Sequence, residues 1–308
     1  MSLAAEGITK CFGDLVAVAT LDLEARPGEV LAVLGPNGAG KTTTLDMLSG
    51  TTRPDSGEVH WDGKPAQPGQ LRRIVGVGPQ TVQTWPRLTC TEQVVFLARL
   101  HGLGKAAAND RARVLLDRVG LHPKRDAQAR TLSGGMLRRL NIALALVADP
   151  PAVVLDEPEA GLDPQSRVLI RDLIAELAGD RVVIITSHDL AEVERVADRI
   201  LILDHGRGIA EGSPRELLDR FDLGQTVEFS IDPADAATLV TALHRFGSAA
   251  TATATGDLVT ARRTVDGSGL SALLLAAEGC GVPLRGVQTR EPSLEDVFLH
   301  LTGRGLRE

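Results

Sequence analysis

At 308 residues the chain is long enough for one large domain and a smaller companion, each with its own core. With 43% hydrophobic and 24% charged residues it reads as an ordinary soluble globular protein, and its net charge of −7 argues against a nucleic-acid surface, which selects basic stripes. Cys11, Cys90 and Cys280 have neither metal-ligand spacing nor disulfide density, implying a reducing cytosol, and the chain shows neither a leader pattern nor an apolar run of ~18 residues able to cross a membrane.

The first continuous apolar run, "EVLAVLG" from Glu29, predicts a strand buried on both faces of a parallel sheet. It leads into "GPNGAGKT", Gly35 to Thr42, which fits G-x-x-x-x-G-K-[ST]. Gly38 and Gly40 let backbone amides turn inward on a β-phosphate, Lys41 neutralises β/γ charge, and the Thr42 hydroxyl coordinates Mg²⁺. "GEVHWDGKP" predicts a short hairpin with an Asp-Gly turn, and so an antiparallel flank beside the main sheet. Farther on, Val94, Val95, Phe96, Leu97 and Leu100 exceed what one buried helix face requires; about half of them suit a small helical core and the rest a contact surface.

"LSGGM", Leu132 to Met136, then puts a hydroxyl and bare amides at the start of the apolar-periodic "LRRLNIALALV". This is a second phosphate grip, with no lysine of its own. "PAVVLDE" predicts another buried strand, ending in Asp156 and Glu157: one carboxylate for Mg²⁺ through water, the next beside an attacking water. The segment "QSRVLIRDLIAELAG" predicts a helix with Leu169, Leu173, Ile174 and Leu177 on one stripe, and "RVVIITSH" a third buried strand. Strands and helices alternate, as in an α/β fold.

After "EGSPRELLDRFDLG" the order becomes strand ("TVEFSI"), helix ("DAATLVTALHRFG"), strands ("SAATATAT", "GDLVTARRTV"), helix ("GLSALLLAAEGCG") and strand ("PLRGVQTR"). That order predicts a small α+β ferredoxin-like domain. The boundary is placed near Leu223, giving domains 1–223 and 224–308.

Taken in order, these motifs resemble the nucleotide-binding subunits of ATP-binding cassette (ABC) transporters over the whole first domain. Gly35 to Thr43 matches the Walker A loop, Gln80 in "VGVGPQ" the Q-loop, Leu132 to Met136 the signature, Val153 to Glu157 the Walker B strand, Gly161 to Pro164 the D-loop, and His188 the switch histidine. Phe12 matches the adenine-stacking aromatic; a core aromatic is its competing reading. The resemblance implies a P-loop NTPase fold with a helical signature subdomain, and ATP with Mg²⁺ as cofactors. Thr42, Gln80 and Asp156 would hold the metal, while Glu157, His188, Gln80 and Lys41 carry catalysis. Phe12, Gly35, Asn37, Gly38, Ala39, Gly40, Lys41, Thr42, Thr43, Gln80 and Asp156 would bind the nucleotide. Ser133 and Gly135 would cap the nucleotide of a second subunit packed head to tail. Permeases on separate chains would be the membrane partners, with this subunit peripheral on the cytoplasmic face.

"SGGMLRRL" and the ending "EPSLEDVFLHLTGRG" resemble ATPases of the daunorubicin-resistance type, which energise exporters of drug-like or lipid substrates. In that ending Ser293 and Asp296 form a capping box, and Leu294, Val297, Phe298 and Leu301 make a stripe suited to docking on a partner. Two residues depart from the family pattern. Met136 replaces a glutamine, and Glu159 stands where serine or threonine is usual. Glu159 either adds negative charge near the ATP interface, where it would raise a neighbouring carboxylate's pKa or slow dimer closure, or points to solvent.

Overall fold

A computed structural model describes residues 1–221, 223, 226–245, 249–263 and 269–303. The chain divides into two compact units, residues 1–214 and 215–303. Parts of several sequence-read elements, namely residues 222, 224, 246–248, 264–265 and 304–305, lie outside the described residues.

In the first unit, β1 (Leu3–Phe12) and β2 (Leu15–Ala25) pair antiparallel and precede β3 (Val30–Leu34), which feeds α1 (Lys41–Leu48). Next come β4 (Ser56–Trp61) and β5 (Lys64–Pro65), then α2 (Pro68–Ile74) and β6 (Val75–Gly78). Helices α3 (Cys90–Leu100), α4 (Lys105–Arg118) and α5 (Gly134–Ala145) form a helical layer before β7 (Ala152–Asp156). The unit continues through α6 (Pro164–Ala178), β8 (Val182–Thr186), α7 (Leu190–Val196), β9 (Arg199–Asp204) and β10 (Arg207–Gly212).

Two sheets result. The larger has the order β10-β9-β3-β8-β7-β6, parallel except for its β10 edge. Every residue of β3, β7 and β8 is buried, which explains why these strands read as unbroken apolar runs rather than alternating ones. The smaller sheet, β2-β1-β4-β5, is the expected antiparallel flank, and its β4–β5 turn has Asp62 and Gly63 both at positive φ. The flank and main sheet share one core, including Leu3, Ile8, Leu31, Met47 and Ile184.

Helix starts follow capping chemistry. Thr89 and Glu92 close a reciprocal capping box on α3, and Ser133, Asp163 and Asp189 cap α5, α6 and α7. The buried face of α6 is Ile170, Leu173, Ile174 and Leu177, so the predicted stripe is right except that Leu169 is only half-buried.

The second unit contains α8 (Pro214–Phe221), β11 (Thr226–Ser230), α9 (Ala236–Arg245), β12 (Ala249–Thr255), β13 (Leu258–Arg263), α10 (Gly269–Gly279), β14 (Gly286–Arg290) and α11 (Leu294–Thr302). Its antiparallel sheet has the order β12-β13-β11-β14 over a separate core of Val227, Phe229, Leu243 and Val259, among others. The α11 stripe departs from its expected docking role. Leu294, Val297 and Phe298 are already buried within the chain, and only Leu301 is half-exposed. Amphipathic periodicity reports that a face is buried, not whose core buries it. Among the described residues no helix is long and apolar enough to cross a membrane.

Candidate functional site

The site lies beyond the carboxyl ends of β3, β7 and β8, where an open α/β sheet leaves a crevice for ligands. The chain leaves β3 through residues 35–40 and enters α1 at Lys41. Gly40, at the α1 N-cap, has φ +99°, and a Cβ there would lie 2.4 Å from the Ala17 carbonyl oxygen. Only glycine accepts both the backbone angle and the close approach. At the start of the loop a Cβ on Gly35 would meet the Leu203 carbonyl oxygen at 2.5 Å. Lys41 Nζ donates to the Gly35 and Pro36 carbonyl oxygens at 2.5 and 3.1 Å, curling over the loop it belongs to. Burial pushes the Lys41 ammonium below its ordinary pKa, opposed by the charges of Glu157 and Asp156.

Strand register builds the acidic side. Pairing of β7 with β8 sets Asp156 beside Thr186, whose hydroxyl donates to Asp156 Oδ1 at 2.5 Å. From the α1 side Thr42 Oγ1 donates to Asp156 Oδ2 at 3.1 Å. Asp156 is buried, and with the Thr42 hydroxyl it offers hard oxygens at one point, a donor set that fits Mg²⁺. Glu157 follows at φ +51°, left-handed backbone that a non-glycine residue adopts at a cost of about 1–3 kcal/mol. Its amide donates to Thr186, at 3.0 Å to Oγ1 and 3.2 Å to the carbonyl oxygen, which holds the turn. His188 Nδ1 stands 3.3 Å from Glu157 Oε2.

Asn37, Gly38, Ala39, Gly40, Lys41, Thr42, Thr43, Gln80, Asp156 and Glu157 line one cleft of about 360 Å³, with Phe12 and Leu15 at its side. Phe12 is 55% exposed, which removes the core reading of that ring. Ser133 and Gly135 do not line this cleft. Gly135 instead abuts the loop after β7: a Cβ there would meet Leu162 Cδ2 at 3.3 Å and the Gly161 carbonyl oxygen at 3.5 Å.

Three residues that shape the cleft escaped sequence reasoning. Arg138 and Asn141 of α5 both donate to the Pro79 carbonyl oxygen, at 3.1 and 2.9 Å, and so fix the residue before Gln80. Burial pushes the Arg138 guanidinium down, while Glu157 and Asp156 push it up. Thr186 is the third, and only its place at the end of a buried apolar strand could have signalled it. The solvent-facing reading of Glu159 is corrected. The residue is buried rather than solvent-facing, and its own carboxyl is pushed up to about 7, by burial and then by Glu192 and Asp189, against Arg167 and Arg171.

The chain is similar to known proteins in sequence and fold. The family described as ABC transporter matches residues 18–160. "Nod factor export ATP-binding protein I" of Cupriavidus metallidurans is 39% identical over 99% of this chain and 99% of its own length. The protein of the same name from Burkholderia lata is 40% identical over 98% of this chain and 97% of its own length. Among solved structures, cbiO1 from Clostridium perfringens, described as part of the ABC transporter complex cbiONQ, superposes with a TM-score of 0.65 at 30% identity, covering 71% of this chain and 91% of that one. A dimeric ATP-binding cassette in a post-hydrolysis state with ADP and Pi gives a TM-score of 0.62 at 26% identity over 68% of this chain and 98% of its own. The chain belongs to the ATP-binding subunits of ABC transporters, and its enzymatic class is that of an ABC ATPase.

Proposed function

We propose that this subunit hydrolyses ATP to drive export of a drug-like or lipid substrate through separate membrane permeases, in the manner of daunorubicin-resistance-type ATPases. The export direction is supported by relatives whose names carry the words "Nod factor export". The observation that carries the ATPase reading is convergence: Lys41, Thr42, Asp156, Glu157 and Gln80 line one cleft and His188 stands against Glu157.

Within that cleft Lys41 leaves the Gly35 and Pro36 carbonyls to meet the β/γ-phosphates, and the loop amides around Gly38 and Gly40 surround the β-phosphate. Thr42, Asp156 and Gln80 would hold Mg²⁺, which neutralises charge on the transferred phosphoryl group. Glu157 accepts the proton of the attacking water, His188 is held beside it, and Phe12 stacks on the adenine from the open side. Ser133 and Gly135 lie off this cleft, which supports their serving the nucleotide of a second subunit in a head-to-tail dimer.

The nucleotide-binding domain is assigned to residues 1–223, a boundary that keeps α8 with it although the compact units divide at 214/215, with 224–308 as an accessory domain whose sheet order supports the ferredoxin-like reading. Docking to the permease falls to the α3 region. Val94 is core there, but Phe96 and Leu100 are 44% and 66% exposed, and Trp85 meets Phe96 edge-on with ring centroids 5.3 Å apart. A cavity lined by Val77, Pro79, Trp85, Leu97 and Leu144 lies in the same region. On this reading the subunit is peripheral, on the cytoplasmic face of the membrane.

The test is to purify the tagged subunit from its native membrane, with and without Phe96→Asp and Leu100→Asp. A co-eluting hydrophobic chain that disappears with the double substitution, while ATPase activity of the free subunit persists, is the expected result. Retention of that chain by the double variant would place the contact elsewhere.

A further inference from the structure

The strand that ends at Phe12 is clasped from outside its own ladder. The pairing of β1 with β2 shifts register between Ile8 and Lys10 and again between Lys10 and Cys11, so regular ladder pairing is interrupted there. Asp55, the residue before β4, supplies the missing hold. Its amide donates to the Thr9 carbonyl oxygen at 2.8 Å, and its carboxylate accepts from Lys10 Nζ and from the Cys11 amide, each at 2.7 Å. Three consecutive residues of β1 are thus held by one aspartate.

The same lysine reaches the ring two positions on. Lys10 Nζ stands over the Phe12 ring, 5.6 Å from its centroid, inside the range of a cation–π contact. The Lys10 side chain is only 16% exposed and does not line the cleft, whereas Phe12 lines it and is largely exposed. The cation therefore meets a bound nucleotide through the ring. A phenyl ring has negatively polarised faces, so an ammonium already fixed by Asp55 holds one face and leaves the opposite face for a base. Without that backing the ring would rotate at the edge of the cleft and would lose that freedom on stacking.

We infer that Lys10 is a positioning residue, fixed by Asp55, which orients the Phe12 ring for stacking on the base of the nucleotide. Its contribution appears in the affinity for nucleotides that carry a base and not in the affinity for phosphates alone. The inference rests on the reading of Phe12 as the stacking aromatic. It extends that reading from one exposed ring to the chain Asp55–Lys10–Phe12, which joins the residue before β4 to the end of β1.

The test is equilibrium titration of the full-length protein with ADP and with inorganic pyrophosphate, which share the phosphates but not the base. Phe12→Ala should weaken ADP binding by about tenfold or more. Lys10→Met, which keeps the packed stem and removes the charge, should weaken it by about threefold. Pyrophosphate should bind both variants as it binds wild type, which also reports that they are folded. Lys10→Arg keeps a cation over the ring and should restore most of the ADP affinity. Adding Lys10→Met to Phe12→Ala should weaken ADP no further, because the lysine has lost the ring it acts through. The proposal is overturned if Lys10→Met binds ADP as wild type does, if pyrophosphate affinity falls equally, or if the two losses add in the double variant. Wild-type ADP affinity in Phe12→Ala would instead remove the stacking reading, and the role of Lys10 with it.

Discussion

His188 Nδ1 lies 3.3 Å from Glu157 Oε2, so the proposed switch residue and the proposed base meet within a single subunit. The contact follows from register: β7 and β8 run parallel with Asp156 beside Thr186, and the chain carries Glu157 and His188 beyond those paired ends. His188→Ala is expected to lower kcat by about 10²-fold or more while leaving ATP affinity nearly unchanged. Steady-state kinetics with a parallel nucleotide titration checks this. An equal loss in binding and turnover would make His188 a ground-state ligand instead.

Thr186 backs both acids, donating to Asp156 and accepting from the Glu157 amide. Thr186→Val preserves shape but removes the donor to buried Asp156 and leaves the Glu157 amide only the Thr186 carbonyl oxygen as acceptor, and should cost about 1–3 kcal/mol of stability. The kcat should fall by about tenfold or more, because Glu157 sits on strained backbone that this hydroxyl helps to hold. Urea unfolding and ATPase assays on the same preparation measure the two effects. Serine, which retains the hydroxyl, should restore most of the activity.

In the second unit, Asp296 accepts from Arg290 Nη1 and Nη2 at 2.7 and 3.1 Å and from the Ser293 amide at 2.9 Å. Burial alone would raise this carboxyl, but the Arg290 and Ser293 bonds together bring it down to about 2. A lowered carboxylate contributes stability that is present above its unfolded value of 3.8 and is lost as pH falls through about 2. Asp296→Asn should therefore cost about 1–3 kcal/mol at neutral pH, and the difference from wild type should shrink as pH is lowered from about 4 toward 2. Denaturant unfolding across that range checks the sign.

Much of this architecture was legible because it is local in the chain. The loop from Gly35 to Thr42, the Asp62–Gly63 turn and the unbroken apolar strands carry their own signals. What escaped depends on partners distant in sequence. Thr186 acquires a role only when register sets it beside Asp156, thirty positions away. Arg138 and Asn141 looked like part of a helix pattern until they met the Pro79 carbonyl. The burial of Glu159 and of the Leu294, Val297 and Phe298 stripe is tertiary information, since neither charge nor periodicity names the surface that covers a side chain.

Sharing of sites between subunits is tested by mixing. Lys41→Ala subunits combined with Ser133→Arg subunits give heterodimers with one site intact and one carrying both lesions. If a single intact site can fire, the mixture should recover activity that neither variant has alone, in proportion to the heterodimer present. Recovery in a mixture without heterodimers would contradict sharing.

The central claim is that Glu157 drives hydrolysis after Lys41 and its loop have bound ATP, and that bound ATP joins two subunits. The direct measurement is ATP turnover by Glu157→Gln, with its mass in solution recorded in ATP and in ADP. Glutamine keeps the side chain's shape but cannot accept the proton, so turnover should fall by about 10²-fold or more while ATP still binds. The variant should run as a dimer in ATP and as a monomer in ADP. Near-normal turnover, or a mass unchanged between ATP and ADP, would contradict the account.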